Sequence, residues 1–517
     1  MSTPTVDAVT LEVARNRFAA VAEEMGTVLR RTAYSPNIKE RIDCSAAIFV
    51  PSGEMLAQAE HIPVHLGSMP ASVQAVLDAF GDRLDGDTQY AVNDPFAGGT
   101  HLNDLTLVRP VEVEGELIGF VANRAHHADV GGDAPGSMPA RATHIDQEGH
   151  RVAPMSAVVD GTWLDAFVQP FLAATRTPEE RLGDLSAQLG ANEVGAQRMI
   201  ELARQLGPTA FGRLSDAVLD YGERRMRAAL AELPAGTYRF TDHMEGQDEL
   251  HPITVTIELA GGELHADLTG SSPQVAANFN AVEAVTRSCL YYAVRVATDP
   301  SIPANGGCYR PLSLTTTPGT IVDAEPPAAV AAGNVETSQR IADVLLGALA
   351  PASPDRVPAA SQGTMNNILI GSARTAYYET VAGGQGARKG RHGQSGLQTG
   401  MTNTRNTPIE SLEAHYPFKV RRTTLWTSGG EGRFRGGDGI ERELEFLEPA
   451  TVSLIGERRR TRPWGLQGGG PGASGEDWLL PRGGGRERLP GKVTFDVQPG
   501  DRLLVRTPGG GGWGPAS

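Results

Sequence analysis

A chain of 517 residues with a formal net charge of −15 repels phosphate backbones and anionic lipid surfaces, which argues against a nucleic-acid or membrane role. With 40% hydrophobic and 21% charged residues the composition is that of a globular protein rather than a disordered one. The length suits about three domains, or one large core with insertions.

The opening MSTPTVDAVTLEVARNRF carries early acids in place of a basic start, and no run of about twenty apolar residues follows it. The expected location is therefore cytoplasmic. Cys44, Cys289 and Cys308 are odd in number and lack paired spacing, so they are expected to be small buried apolar residues, not disulfides or zinc ligands. Glycine (62) and proline (35) make nearly a fifth of the chain against a usual share of roughly an eighth. The glycines have no period, so they mark turns and close backbone contacts instead of a fibrous or low-complexity sequence.

In chain order, apolar Leu11, Phe18, Val21, Met25, Val28 and Leu29 recur at helical spacing and predict one amphipathic helix over residues 10–31. From 43 to 107 short β-rich runs such as CSAAIFV alternate with turn residues, with one helical piece near 71–80. A hairpin is expected over 111–121, turning around Gly115. Residues 176–233 read as helical, broken at Gly207 and Pro208. ITVTIEL and ELHADL form an expected antiparallel pair, followed by helices at 282–297 and 335–350. Beyond Ser361 the sequence is glycine-rich and β-like. The expected fold class is α+β: a large, mixed, multi-lobed protein with an N-terminal helix and an α/β metal-site region (1–175), a helical segment (176–233), a mixed α/β region (234–360) and a glycine-rich, mainly β region (361–517).

The residues that suggest chemistry fall in NDPFAGGTHLND (93–104) and NRAHHAD (123–129). His101, Asp104 and the pair His126 and His127 lie within about thirty residues of one another, and imidazoles with carboxylates are the donor set of a catalytic divalent metal such as Zn or Mn. The glycines before His101 and the apolar LTLV after Asp104 favour a loop entering a strand over a helix. Adjacent strand residues point to opposite faces, so one of His126 and His127 is expected to reach a given metal. A second pair, His61 and His65, has i,i+4 spacing, but Pro63 makes a regular helix doubtful there. AGGQGARKG and TPGGGGWG have the glycine of a phosphate loop without the Lys-Ser or Lys-Thr that opens its helix, so ATP binding by this chain alone is not expected. ERRRTRP (457–463) reads as a solvated or salt-bridged strand end, with a partner subunit or an anionic substrate as the alternative.

KERIDCSAAIF, HIPVHLGSM, NDPFAGGTHLNDL, NRAHHADVGG, PGSMP, AAGNVETSQR, SQGTMNN, MTNTRNTP, GRFRGGDG, RRRTRPWGLQGGGPG and the terminal TPGGGGWG together resemble the hydantoinase B / 5-oxoprolinase family, in order from about residue 5 to 514. The resemblance implies the hydrolytic half of an ATP-dependent cyclic amidase of the N-methylhydantoinase, oxoprolinase or caprolactamase type, with acetone and acetophenone carboxylase subunits as relatives. It implies an A-type ATP-binding partner on a separate polypeptide that phosphorylates the carbonyl oxygen of a small cyclic amide, and hence a hetero-oligomer. It also implies a metal site of Asp43, His101, Asp104 and His126, which settles the choice between the adjacent histidines. The metal is expected to be Zn or Mn, with Fe as a third option, and to activate a water against the phosphorylated carbon. His127 or Asp129 is expected to assist as an orienting group or proton acceptor. The alternatives are a carboxylase subunit using the same site, a non-catalytic scaffold for the kinase-like partner, and a stand-alone metal amidohydrolase. His144, His150 and Gly400 depart from the family pattern and leave the ring substrate open.

Overall fold

The computed structural model describes residues 6–59, 62–372 and 375–516; His61, one half of the His61–His65 pair, lies outside them. The N-terminal helix (Ala8–Thr32) is capped by the Asp7 carboxylate, which accepts from the Val9 and Thr10 amides, and it closes with Arg30 and Arg31 in its last turn. Both ends thus match the helix dipole. Its stripe buries Phe18, Val21, Met25 and Leu29.

That stripe packs on a seven-stranded sheet of order β2-β1-β5-β4-β3-β6-β7. The strands are β1 (Cys44–Phe49), β2 (Met55–Ala59), β3 (Thr88–Val92), β4 (Asp104–Val113), β5 (Glu116–His126), β6 (Met155–Val159) and β7 (Thr162–Trp163). Every pairing is antiparallel. Helices Ala8–Thr32 and Pro178–Leu206 cover one face and helix Ser68–Phe80 packs on β3, β4 and β5. With both faces covered, the central strands are buried along most of their length and show little alternation. For that reason the hairpin predicted over 111–121 is only the tip of a longer one. It turns at Glu114 and Gly115, both at positive φ, and runs back until Asp104 pairs with His126.

Helix Pro178–Leu206 meets this sheet through side-chain amides. Gln188 donates to the Leu105 carbonyl and to Asn123, while Asn192 donates to the Leu107 carbonyl and to Gln89. Gly207 ends that helix at φ 81 and Pro208–Ala231 follows, as the break in the sequence predicts.

Strands Leu250–Ala260 and Glu263–Asp267 form the expected antiparallel pair inside a four-stranded sheet, on which helix Ser338–Leu349 packs. The sequence predicts that helix from 335; the structure instead has a π-helical turn over Gly333–Thr337 before it. A side chain at Gly333 would stand 1.8 Å from the Asn280 carbonyl oxygen, so glycine alone lets residues 278–281 lie against the turn. Two further sheets occupy 367–506 around Ile368, Phe418, Leu454 and Leu503. Their glycine-rich connections pack backbone on backbone: a Cβ on Gly436 would be 1.9 Å from the Gly510 oxygen.

The largest apolar cluster joins Ala47, Met226, Leu264, Leu345 and Leu369, so one core runs through all the regions distinguished along the sequence. The three cysteines are buried and free. ERRRTRP takes the salt-bridged option, with Glu457 and Arg458 buried and Arg460 and Arg462 exposed: Arg458 pairs with Asp242 and Asp343, Arg459 with Asp477, and Glu457 with Arg340 and Lys492. Among the described residues no helix is long and apolar enough to cross a membrane.

Glu148 anchors the chain leading into the π-helical turn. Its buried carboxyl accepts from the Val330 and Ala331 amides at 3.0 and 2.9 Å, yet burial outweighs these bonds and pushes its pKa up to about 8. The folded state therefore holds a proton that the unfolded chain releases near pH ~4. This contribution is full below the unfolded pKa and is lost as pH rises toward 8. Glu148→Gln should flatten that part of the stability curve, measured by denaturant unfolding at acidic, neutral and mildly alkaline pH. An unchanged slope would contradict the assignment.

Candidate metal centre

Directly paired residues on antiparallel strands project to the same face. Asp104 pairs with His126, and the His126 amide donates to the Asp43 carbonyl at 3.1 Å, one step beyond the Cys44–Ala125 pair. Asp43, His126 and Asp104 therefore form a row across the ends of three adjacent strands. His101 joins from the loop before β4, with Nε2 3.0 Å from Asp104 Oδ1. His126 Nδ1 lies 3.2 Å from the same oxygen, and the two imidazole centroids are 4.9 Å apart. Ligand atoms of His101, Asp104 and His126 all fall within 4.8 Å of one another. The Asp43 carboxylate stands outside that group; it is 7% exposed.

The surroundings fix this arrangement. Asp104 Oδ2 accepts from Thr100 Oγ1 at 2.9 Å and from Asn334 Nδ2 at 3.3 Å. His65 presents Nε2 to the same oxygen at 3.5 Å and bonds Ser45 Oγ through Nδ1, so it buttresses the aspartate. The Tyr378 ring stacks on His126 with centroids 4.7 Å apart, the Arg41 guanidinium lies over Tyr378, and the Tyr378 hydroxyl donates to Asn367. Two residues before His126, Arg124 is buried and bonds Thr106, Ser68 and Ser72. Burial lowers its pKa to about 10 against the pull of Asp104, which leaves it cationic at neutral pH. Burial would also raise the Asp104 carboxyl, but the imidazoles of His101, His126 and His65 gathered around it hold it well below the usual range. It is a carboxylate.

Both ring nitrogens of His101 and Nε2 of His126 are buried without a hydrogen bond; the short His101–Asp104 contact is not aligned as one. Each such atom costs about 1–3 kcal/mol if left unmet. A divalent cation among two imidazoles and a carboxylate would satisfy them together, and the donor set suits Zn, Mn or Fe.

His127 and Asp129 lie outside the His101–Asp104–His126 group. His127 Nε2 bonds Gln188 Oε1 at 2.9 Å and its ring meets Phe171 edge-on, on the helix side of the sheet as strand alternation requires. Asp129 shapes its own loop: it accepts from the Gly131, Gly136 and Arg176 amides and pairs with the Arg176 guanidinium at 2.9 Å. Thr100, Asn334 and Tyr378 were not singled out in the sequence. The only sign of Asn334 is its place in AAGNVETSQR, and Tyr378 had none.

Fold and site together define an α+β protein with a buried His–Asp–His cluster at the ends of antiparallel strands. The chain belongs to the hydantoinase B/oxoprolinase family, which residues 7–516 match. It is 39% identical to 5-oxoprolinase 1 of Arabidopsis thaliana over 98% of its length, but spans 42% of that longer protein. It is 31% identical to the B-type subunit of a D-/L-hydantoinase from a Pseudomonas species, covering 98% of this chain and 90% of that one. The solved structure of the ATP-dependent caprolactamase from Pseudomonas jessenii superposes with a TM-score of 0.92 at 30% identity, over 99% of this chain and 92% of that one.

Elemental analysis of the purified chain should find about one divalent transition metal per chain. His101→Ala and Asp104→Ala should remove it, whereas His127→Gln and Asp129→Asn should keep it and lose thermal stability instead. Full metal content in His101→Ala would contradict this reading of the cluster.

Proposed function

We propose that this chain is the hydrolytic subunit of an ATP-dependent cyclic amidase, opening a lactam, imide or hydantoin ring that an A-type partner subunit has activated by phosphorylation. The observation that carries the reading is the buried His101–Asp104–His126 cluster with its unpartnered imidazole nitrogens, in a member of the hydantoinase B/oxoprolinase family. The likeness to a B-type hydantoinase subunit of nearly the same length, and to a segment of the longer 5-oxoprolinases, supports a partner carried on another polypeptide.

An amide carbonyl is a poor electrophile because nitrogen donates into it. Phosphorylating its oxygen removes that resonance and leaves a carbon open to water. His101, Asp104 and His126 would hold the cation, with Asp43 completing the set from its place beside His126. A divalent ion so held supplies Lewis-acid polarisation and lowers the pKa of water toward neutrality. Asp104 stays ionised for this task, and Thr100 and Asn334 keep its second oxygen in place. Tyr378 fixes the plane of the His126 ring. Asn334 also carries a buried carbonyl oxygen with no partner, an acceptor suited to orient a water or the ring nitrogen. A scaffold role has no need for two imidazoles and carboxylates gathered out of solvent.

With a cyclic amide, ATP and the partner present, His101→Ala should lower ring opening by about a thousandfold while ATP consumption by the partner stays measurable. Undiminished ring opening would contradict the proposal, and turnover without ATP or partner would favour a stand-alone amidohydrolase.

A further inference from the structure

A cavity of about 1080 Å³ opens between the loop around 141, the turn at 245–247, residues 276–279 and the segment 488–493, roomy enough for a small organic molecule. None of the metal-site residues lines it. Five of its lining side chains are cationic, Arg141, Arg459, Arg460, Arg488 and Lys492, and one is acidic, Glu245. In a chain with a net charge of −15 that local excess calls for a cause.

Pairing within the protein absorbs two of the five. Arg459 is held by Asp477 at 2.8 and 3.0 Å, and Lys492 by Glu457. Arg460 donates to the main-chain carbonyls of Gly246, Gln247 and Asp248 at 3.2, 3.4 and 3.2 Å, which leaves its charge in place. Arg488 lies over the Trp478 ring, and neither it nor Arg141 has an acid partner among the described residues. The Glu245 carboxylate is turned into the wall, where it accepts from the amides of Arg459, Arg460 and Thr461 and from the Thr461 hydroxyl. Three free guanidinium charges less this one carboxylate leave a surplus of two, the charge of a phosphate dianion. The guanidinium fork also matches phosphate oxygens in shape.

One polar atom in the wall narrows the ligand further. Asn278 is fully buried; its Nδ2 donates to the Pro139 carbonyl at 3.0 Å, and its Oδ1 has no partner. An amide oxygen accepts and cannot donate, so it repels a bare anionic oxygen and suits an O–H. Monohydrogen phosphate brings one O–H with its two charges, and a sugar phosphate brings hydroxyls beside its phosphate. Sulfate brings the charge without the donor. The main-chain carbonyl of Asn278 accepts from the Ala332 amide at 2.8 Å, two residues before Asn334, so the cavity lies against the turn that reaches Asp104.

We infer that this cavity is a phosphate site: the dianion faces Arg141, Arg460 and Arg488, and an O–H on or beside it donates to Asn278. The ligand is free phosphate or the phosphate group of a small hydroxylated molecule. The site is separate from the metal centre and does not depend on the ring-opening reading.

Isothermal titration of the full chain with inorganic phosphate, ribose 5-phosphate and sulfate tests it. The better phosphate ligand should bind about tenfold tighter than sulfate. Tighter binding of ribose 5-phosphate identifies the organic source, and tighter binding of inorganic phosphate the free ion. Arg141→Gln and Arg488→Gln, both at exposed positions, should each weaken the better ligand about tenfold. Arg83→Gln, at an exposed arginine outside the cavity, should leave it unchanged, as should His101→Ala. No binding of either phosphate, sulfate bound as tightly as phosphate, or unchanged affinity in Arg141→Gln and Arg488→Gln overturns the assignment. An equal loss in Arg83→Gln would reduce the effect to general charge, and a loss in His101→Ala would place the phosphate on the metal; either result also overturns it.

Discussion

The register between β4 and β5 is the constraint on which the site depends. It sets Asp104 opposite His126, and the next strand in the sheet brings Asp43 beside them. A slip of one residue would turn His126 to the helix face and His127 to the cluster face. Burial guards against such a slip, because the helix side of the strand carries Asn123, whose amide is satisfied only by Gln188 and Asn192, while the other side carries Arg124 in its nest of hydroxyls. The polar contacts that look costly in a core are thus the ones that fix the register.

A second constraint comes from the far part of the chain. Asn334 reaches Asp104 from a π-helical turn, a geometry that recurs at functional sites because it re-aims a side chain without ending the helix. The turn is held from both sides, by residues 278–281 lying against Gly333 and by Glu148 bonding the amides of Val330 and Ala331. Tyr378 closes over His126 from the C-terminal region. The site is therefore completed by segments more than two hundred residues apart, and the largest apolar cluster draws on the same segments through Leu102, Leu105, Val335 and Tyr378.

Much of the helical structure was legible because amphipathic periodicity needs only local sequence: the N-terminal helix, the break at Gly207 and the pair around Gly261 and Gly262 stand where patterning places them. The hairpin carrying the site was underestimated because strands covered on both faces lose their alternation. The proximity of His101, Asp104 and a histidine at the end of β5 could be read from spacing; strand alternation said that only one of His126 and His127 would reach a given metal, and the family resemblance chose His126. The supporting residues could not be read. Thr100 and Asn334 are ordinary polar residues until the fold sets them on Asp104, and the loop partners of Asp129, Gly136 and Arg176, were equally out of sight. The arginines after Glu457 took the salt-bridged of the two settings expected for them, but the acids that match Arg458 and Arg459 come from three distant segments, Asp242, Asp343 and Asp477, which the sequence alone does not bring together.

X-ray absorption fine structure at the edge of the metal bound to the purified chain tests the central claim most directly. The account predicts a first shell of imidazole nitrogen and carboxylate oxygen, with the outer-shell scattering of about two histidine rings. A shell containing sulfur, or one of oxygen alone without imidazole scattering, would contradict it.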